Sequence, residues 1–140
     1  MRTLAALAAL TVLAGCAGDV ALRRTRLSSV DSRSPLVRFY NGMDPGPVEL
    51  DRPMRVVFWE NLGKEPATAI VRGIESDPTL APGTTGFSYD PERQLAVAGP
   101  LPEGGIASLV MPTAGTYRYE LYVAGSKTNE GQIIVAGGER

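Results

Sequence analysis

From Leu36 onward one pattern recurs: short runs rich in Val, Ile, Tyr and Phe, broken by clusters of Gly and Pro. Punctuation about every ten residues with no sustained 3.6-residue period leaves little room for helices and points to an antiparallel sandwich or barrel. Strands are expected over residues 36–41, 47–50, 54–60, 67–74, 94–98, 106–111, 115–123 and 131–136, and none of the eleven prolines interrupts the best of them. The clearest alternation sets Tyr117, Tyr119, Leu121 and Val123 against Arg118, Glu120 and Tyr122, one set toward a core and the other toward water. Residues 76–93, with Pro, Gly and Asp at turn positions, read as a long connection folded over the sandwich edge, with Phe87 and Tyr89 as its pins.

The first residues obey a different rule. Arg2 precedes an uncharged apolar stretch, Leu4 to Ala14, that ends in small residues, which is the layout of a signal peptide. Asp19 and the arginines at 23, 24 and 26 arrive too early for the roughly 20 apolar residues that a membrane-spanning helix needs. Leu13-Ala14-Gly15-Cys16 resembles the lipobox of bacterial lipoproteins. The resemblance implies diacylglyceryl transfer to the Cys16 thiol, cleavage before it and acylation of the new amino terminus. Two or more acyl chains make such an anchor stable where one would not. Ala17 and Gly18 lack the aspartate that favours inner-membrane retention in enterobacterial lipoproteins, so an outer-membrane, periplasm-facing address is expected.

Three segments follow: a leader at 1–15, a lipid-anchored linker at 16–35 and one folded domain at 36–140. Removing the leader from 140 residues leaves 125, enough for one domain. It also turns 14 basic against 15 acidic residues into 13 against 15, which is no footprint for nucleic acid. Cys16 is the only cysteine, so the domain is held by its core without an intrachain disulfide. The linker carries Arg23, Arg24, Arg26 and Arg33, which suit either a solvated tether or an anionic lipid surface.

PMRVVFWENLGKEPATAIV at 53–71 and MPTAGTYRYELYVAGSKTNEGQIIV at 111–135 resemble the cupredoxins, the Greek-key sandwiches of plastocyanin and pseudoazurin. The first matches the strand, Asn-containing loop and Pro before that family's first histidine ligand. The second matches its final hairpin and ligand loop. The resemblance implies a cupredoxin-like all-β sandwich, with an immunoglobulin-like sandwich as the alternative. It also implies copper-ligand positions at Ala67, Leu121, Ala124 and Asn129, the last two on a plastocyanin-type loop length. Blue copper needs two imidazoles and a thiolate, and none of these four residues supplies either. The chain has no histidine at all.

Without histidine, Ser-His-Asp, Cys-His and the Cys/His zinc patterns are excluded. Three carboxylate pairs, Glu49 with Asp51, Glu75 with Asp77 and Asp90 with Glu92, sit beside turn residues and read as solvated strand ends. Neither an enzyme nor a cofactor is expected. The expected function is an accessory or scaffold module that binds a protein of the cell envelope. The alternative is a small-ligand or carbohydrate-binding module using the loops around Ala67, Ala124 and Asn129. Trp59 and Tyr122 are the candidate interface residues, since Trp and Tyr are enriched at hot spots. Trp59 alternates with Phe58, so one of the two faces the core.

Overall fold

The computed structural model describes residues 35–39 and 46–138. The leader and residues 16–34 of the linker, Cys16 among them, lie outside the described residues. Nine strands form two sheets: β1 (Leu36–Phe39), β2 (Val48–Leu50), β3 (Arg55–Asn61), β4 (Ala67–Arg72), β5 (Phe87–Asp90), β6 (Leu95–Leu101), β7 (Ile106–Met111), β8 (Gly115–Val123) and β9 (Ser126–Val135). The smaller sheet has the order β1-β3-β7 and the larger β2-β9-β8-β4-β6-β5. β1 runs parallel to β3 and β2 parallel to β9, while the remaining pairs are antiparallel. The expected sandwich is therefore present. Its one helical turn among the described residues is a 3-10 turn at Pro78–Leu80, opened by Asp77, whose side chain accepts the Thr79 amide.

The inner faces supply one continuous core. Val37 and Phe39 on β1, Val57 and Trp59 on β3 and Leu109 and Met111 on β7 meet Ala69, Val71, Tyr117, Tyr119, Leu121 and Ile133 of the larger sheet. The period-2 alternation explains this, because residues i and i+2 of a strand share a face. Tyr119 stands edge-on to Trp59 at 5.3 Å, and Phe87 meets the same indole at 6.2 Å. Tyr119 lies opposite Gly131 on β9, and its hydroxyl donates to the Gly46 carbonyl at 2.5 Å. A β carbon on Gly131 would overlap the Tyr119 ring, so the ring can lie across the neighbouring strand only because that strand carries glycine there.

Three expectations are corrected. Residues 87–90 form an edge strand, not part of a connection: Asp90 accepts the Glu92 and Arg93 amides, turns the chain and returns it as β6. Phe87 and Tyr89 still act as pins, the Tyr89 hydroxyl donating to the Ile74 carbonyl at 2.8 Å. β6 runs past residue 98 to Leu101, so Pro100 lies inside a strand after all. β9 begins at Ser126 rather than at 131, which removes the expected loop between the last two strands.

The outer face of the small sheet is half covered. Gly83 lies against Val56 and Val110, its carbonyl accepts from Ser108 Oγ at 2.6 Å, and Thr85 exchanges backbone hydrogen bonds with Ser108. The other half carries Leu36, Phe58 and Ile106, of which Phe58 is 37% and Ile106 59% exposed.

Candidate functional site

The end of the sandwich at which β3, β4 and β8 finish or begin is organised by Asn61. It continues the inward set of Val57 and Trp59 on β3 and is fully buried. Its Nδ2 donates to the carbonyls of Glu65 and Leu101, both at 2.9 Å, and its Oδ1 accepts the Gly63 amide at 2.9 Å. The backbone of Asn61 is bonded to Gly104 and Gly105. One side chain thus fastens the 62–66 loop and the 101–105 loop to the end of β3. Asn61→Ala strands buried carbonyls, each at about 1–3 kcal/mol, so a loss of about 2 kcal/mol of unfolding free energy, read from urea titrations, is expected. In the sequence the signal of its burial is its period-2 phase with Val57 and Trp59.

Ala67 opens β4 immediately after this loop and is buried, with Leu121 buried beside it on β8. The ladder pairs Ala67 with Val123 and Ala69 with Leu121, so the two residues sit on neighbouring strands, both facing inward. Ala124 follows β8, and its amide donates to the Pro66 carbonyl at 3.0 Å. Ala67, Leu121 and Ala124 therefore lie close together at this end of β4 and β8. Asn129 does not lie in a loop: it sits within β9, paired with Leu121. Ala124 and Gly125 have φ of 49° and 82°. Positive φ at both central residues suits a type I′ turn, whose twist matches that of the flanking strands. Val123 and Ser126 pair directly across it. The register shift after Leu121 leaves Thr128 as the extra residue on β9, with its hydroxyl on the Leu121 carbonyl at 3.3 Å.

Trp59 is a second correction. It is 0% exposed and packed in the core, so it cannot anchor a partner; its neighbour Phe58 is the one facing outward. The candidate interface position that remains is Tyr122, half-buried on the outer face of the larger sheet. Its hydroxyl donates to Glu120 Oε2 at 2.9 Å, and Arg72 Nε donates to Oε1 of the same carboxylate at 3.0 Å. Arg118 and Lys127 meet Glu130 alongside, at 2.6 and 3.0 Å. Glu120 faces outward yet its side chain is only 7% exposed, because the side chains of Arg72 and Tyr122 flank it.

The Arg72 hydrogen bond, more than the opposing cost of burial, holds the Glu120 carboxyl below its usual range, and the Tyr122 bond adds to this. Tyr122 is correspondingly pushed up, since its proton is held by that carboxylate. A depressed folded-state pKa stabilises the fold above the unfolded value and is lost as pH falls through the folded one. Stability should therefore drop below about pH 4.5, the ordinary glutamate value. Glu120→Gln should flatten that drop when urea midpoints are compared at about pH 7 and about pH 3.

The carboxylate pairs resolve into turns rather than sites. Asp51 pairs with Arg55 at 2.9 Å, Asp77 caps the 3-10 turn and Asp90 holds the β5–β6 hairpin. A cleft of about 440 Å³ lies beside Asn61, between the 62–65 loop, Glu103 and Val123.

The sequence matches no known family model and no curated protein. Solved structures do resemble the fold. A reduced tryptophan-to-tyrosine variant of amicyanin superposes with a TM-score of 0.50 at 13% identity, over 79% of this chain and 89% of that one. The Cu(I) form of a methionine-to-alanine variant of amicyanin gives 0.50 at 14%, with the same coverage. The fold is cupredoxin-like. Amicyanin from Paracoccus versutus also aligns, at 14% identity and a TM-score of 0.46, over 79% of this chain and 88% of that one.

A blue-copper centre does not fit this cupredoxin-like chain. Its donor set is two imidazoles and a thiolate, and the sequence contains no histidine, while its one cysteine is residue 16. Among the described residues no group of three or more His, Cys, Asp or Glu side chains converges. Ala67 and Leu121 belong to the apolar core, and the Ala124–Gly125 turn closes the β8–β9 hairpin beside them.

Proposed function

We propose that this chain is a non-catalytic, copper-free cupredoxin-like module, tethered through lipid on Cys16 to the periplasmic side of the outer membrane, that works by contact with another envelope protein. The observation that carries the reading is the closed copper end. Ala67 and Leu121 are packed in the core, and the two-residue turn Ala124–Gly125 joins β8 directly to β9 beside them. Empty imidazoles would leave unpaired buried nitrogens, at about 1–3 kcal/mol each; Ala and Leu avoid that cost and retain the frame. A frame retained without its redox group is suited to presenting surface.

The test is purification of the lipidated protein from its own envelope in mild detergent. A stoichiometric protein partner is the expected result, and purification of the chain alone overturns the scaffold role. Added Cu(II) should give no intense visible thiolate-to-copper band. Cys16→Ser should release the domain from membranes or block its processing, and unchanged retention would remove Cys16 as the attachment residue.

The cleft beside Asn61 favours the second reading, a small-ligand or carbohydrate module. It is lined by Lys64, Glu65 and Glu103 with no aromatic face on which a sugar ring would stack. A ligand there would be small and polar, and would protect Lys64 from amine-reactive reagents.

A further inference from the structure

We propose that the open half of the small sheet's outer face, around Leu36, Phe58 and Ile106, rests on the lipid surface that holds Cys16. The inference rests on the lipid anchor proposed above and adds the orientation of the domain. It begins from where the tether enters the fold. Pro35, the first described residue, accepts the Phe58 amide through its carbonyl at 3.0 Å. β1 then pairs Leu36 with Phe58, placing both side chains on the outer face. The domain thus hangs from a point on the same row as its exposed phenylalanine. One row further, Ile106 lies opposite Glu60, and Glu60 is occupied by Arg38 at 2.9 Å. This face therefore meets headgroups with its carboxylate already paired.

The strap at 83–85 covers Val56, Ser108 and Val110 but leaves Phe58 and Ile106 exposed, with Leu36 half-buried beside Phe58. The uncovered part is the part nearest the tether. Residues 17–34 separate Cys16 from Pro35. A linker of that length would have an r.m.s. span on the order of 23 Å, which keeps the domain close to the bilayer. Three apolar side chains are too few to hold a free protein on a membrane. Tethering makes the contact intramolecular, and a weak patch then suffices to set orientation. The linker's four arginines, at 23, 24, 26 and 33, would add attraction to anionic headgroups.

Lipid on Cys16 consumes the only native thiol, so a single new cysteine can carry a polarity-sensitive fluorophore. The lipidated Phe58→Cys, Ile106→Cys and Gln132→Cys proteins are reconstituted into vesicles of phosphatidylethanolamine and phosphatidylglycerol. Gln132 is exposed on the outer face of the opposite sheet. The expected result is blue-shifted emission at 58 and 106, quenched several-fold more by nitroxide-bearing lipid than the probe at 132. Equal quenching at all three positions in protein that floats with the vesicles overturns the orientation and leaves the anchor standing. Protein that does not float overturns the anchor and the orientation with it. Shielding at 58 that persists in detergent and ignores the lipid quencher shows a protein covering the face, and also overturns the proposal.

Discussion

Gly131→Ala is expected to cost about 3 kcal/mol, the upper end of ordinary overpacking, and to convert a cooperative urea transition into a shallow one. The new methyl group would occupy the space of the Tyr119 ring. That ring cannot retreat: Trp59 stands edge-on at 5.3 Å on one side, and its own hydroxyl is fastened to the Gly46 carbonyl. Relief requires either breaking that bond or bending β9 away from β8. Truncating the ring should therefore rescue the defect in part. Tyr119→Ala combined with Gly131→Ala should be less destabilised than the sum of the single changes, a coupling that urea midpoints of the four proteins measure directly. Strict additivity would show that the two residues do not compete for the same space.

The second large effect is at Trp59. Trp59→Ala removes the largest fully buried side chain, and a loss of about 3–5 kcal/mol is expected for an indole that cannot be replaced by collapse. Trp59→Phe should behave very differently. The Nε1–H is buried and meets no acceptor among the described residues. Replacing indole by phenyl deletes a donor that is already unsatisfied, which offsets part of the lost volume. A cost well below that of Trp59→Ala is the expected result. A cost near that of alanine would mean that the indole volume, not its polarity, decides the site.

Much of the frame was legible because burial writes itself into a strand with period 2. Tyr117, Tyr119 and Leu121 face the core as their spacing requires, and each of the eight expected strands has a counterpart. What was missed has physical causes. The Phe87–Asp90 strand is only four residues long and lies among Pro, Gly and Asp, so turn chemistry on both sides hides its Phe-Ser-Tyr alternation. The start of β9 is hidden because Ser126–Glu130 are all polar, whereas Ala124–Gly125 closes the hairpin in two residues. Trp59 and Phe58 are both apolar and adjacent. Choosing between them needs the register with β7, where Trp59 meets Ala107. Glu120 illustrates the converse: its outward phase was legible, but the flanking Arg72 and Tyr122 that bury it come from pairing across β4 and β8 and from residue i+2.

The strap at 83–85 has a meaning beyond shielding Val56 and Val110. β7 closes one side of the small sheet, and an uncovered strand there would invite another molecule to continue the sheet. Its outward-pointing groups are instead consumed from within: Ser108 exchanges both backbone bonds with Thr85, and the Val110 amide is taken by Thr84 Oγ1 at 3.0 Å. Among the described residues the strap does not reach the short stretch near Ile106. A neighbouring copy is thereby denied the docking rail along which sheet-rich proteins polymerise, and the chain can be crowded without growing into fibres from that edge.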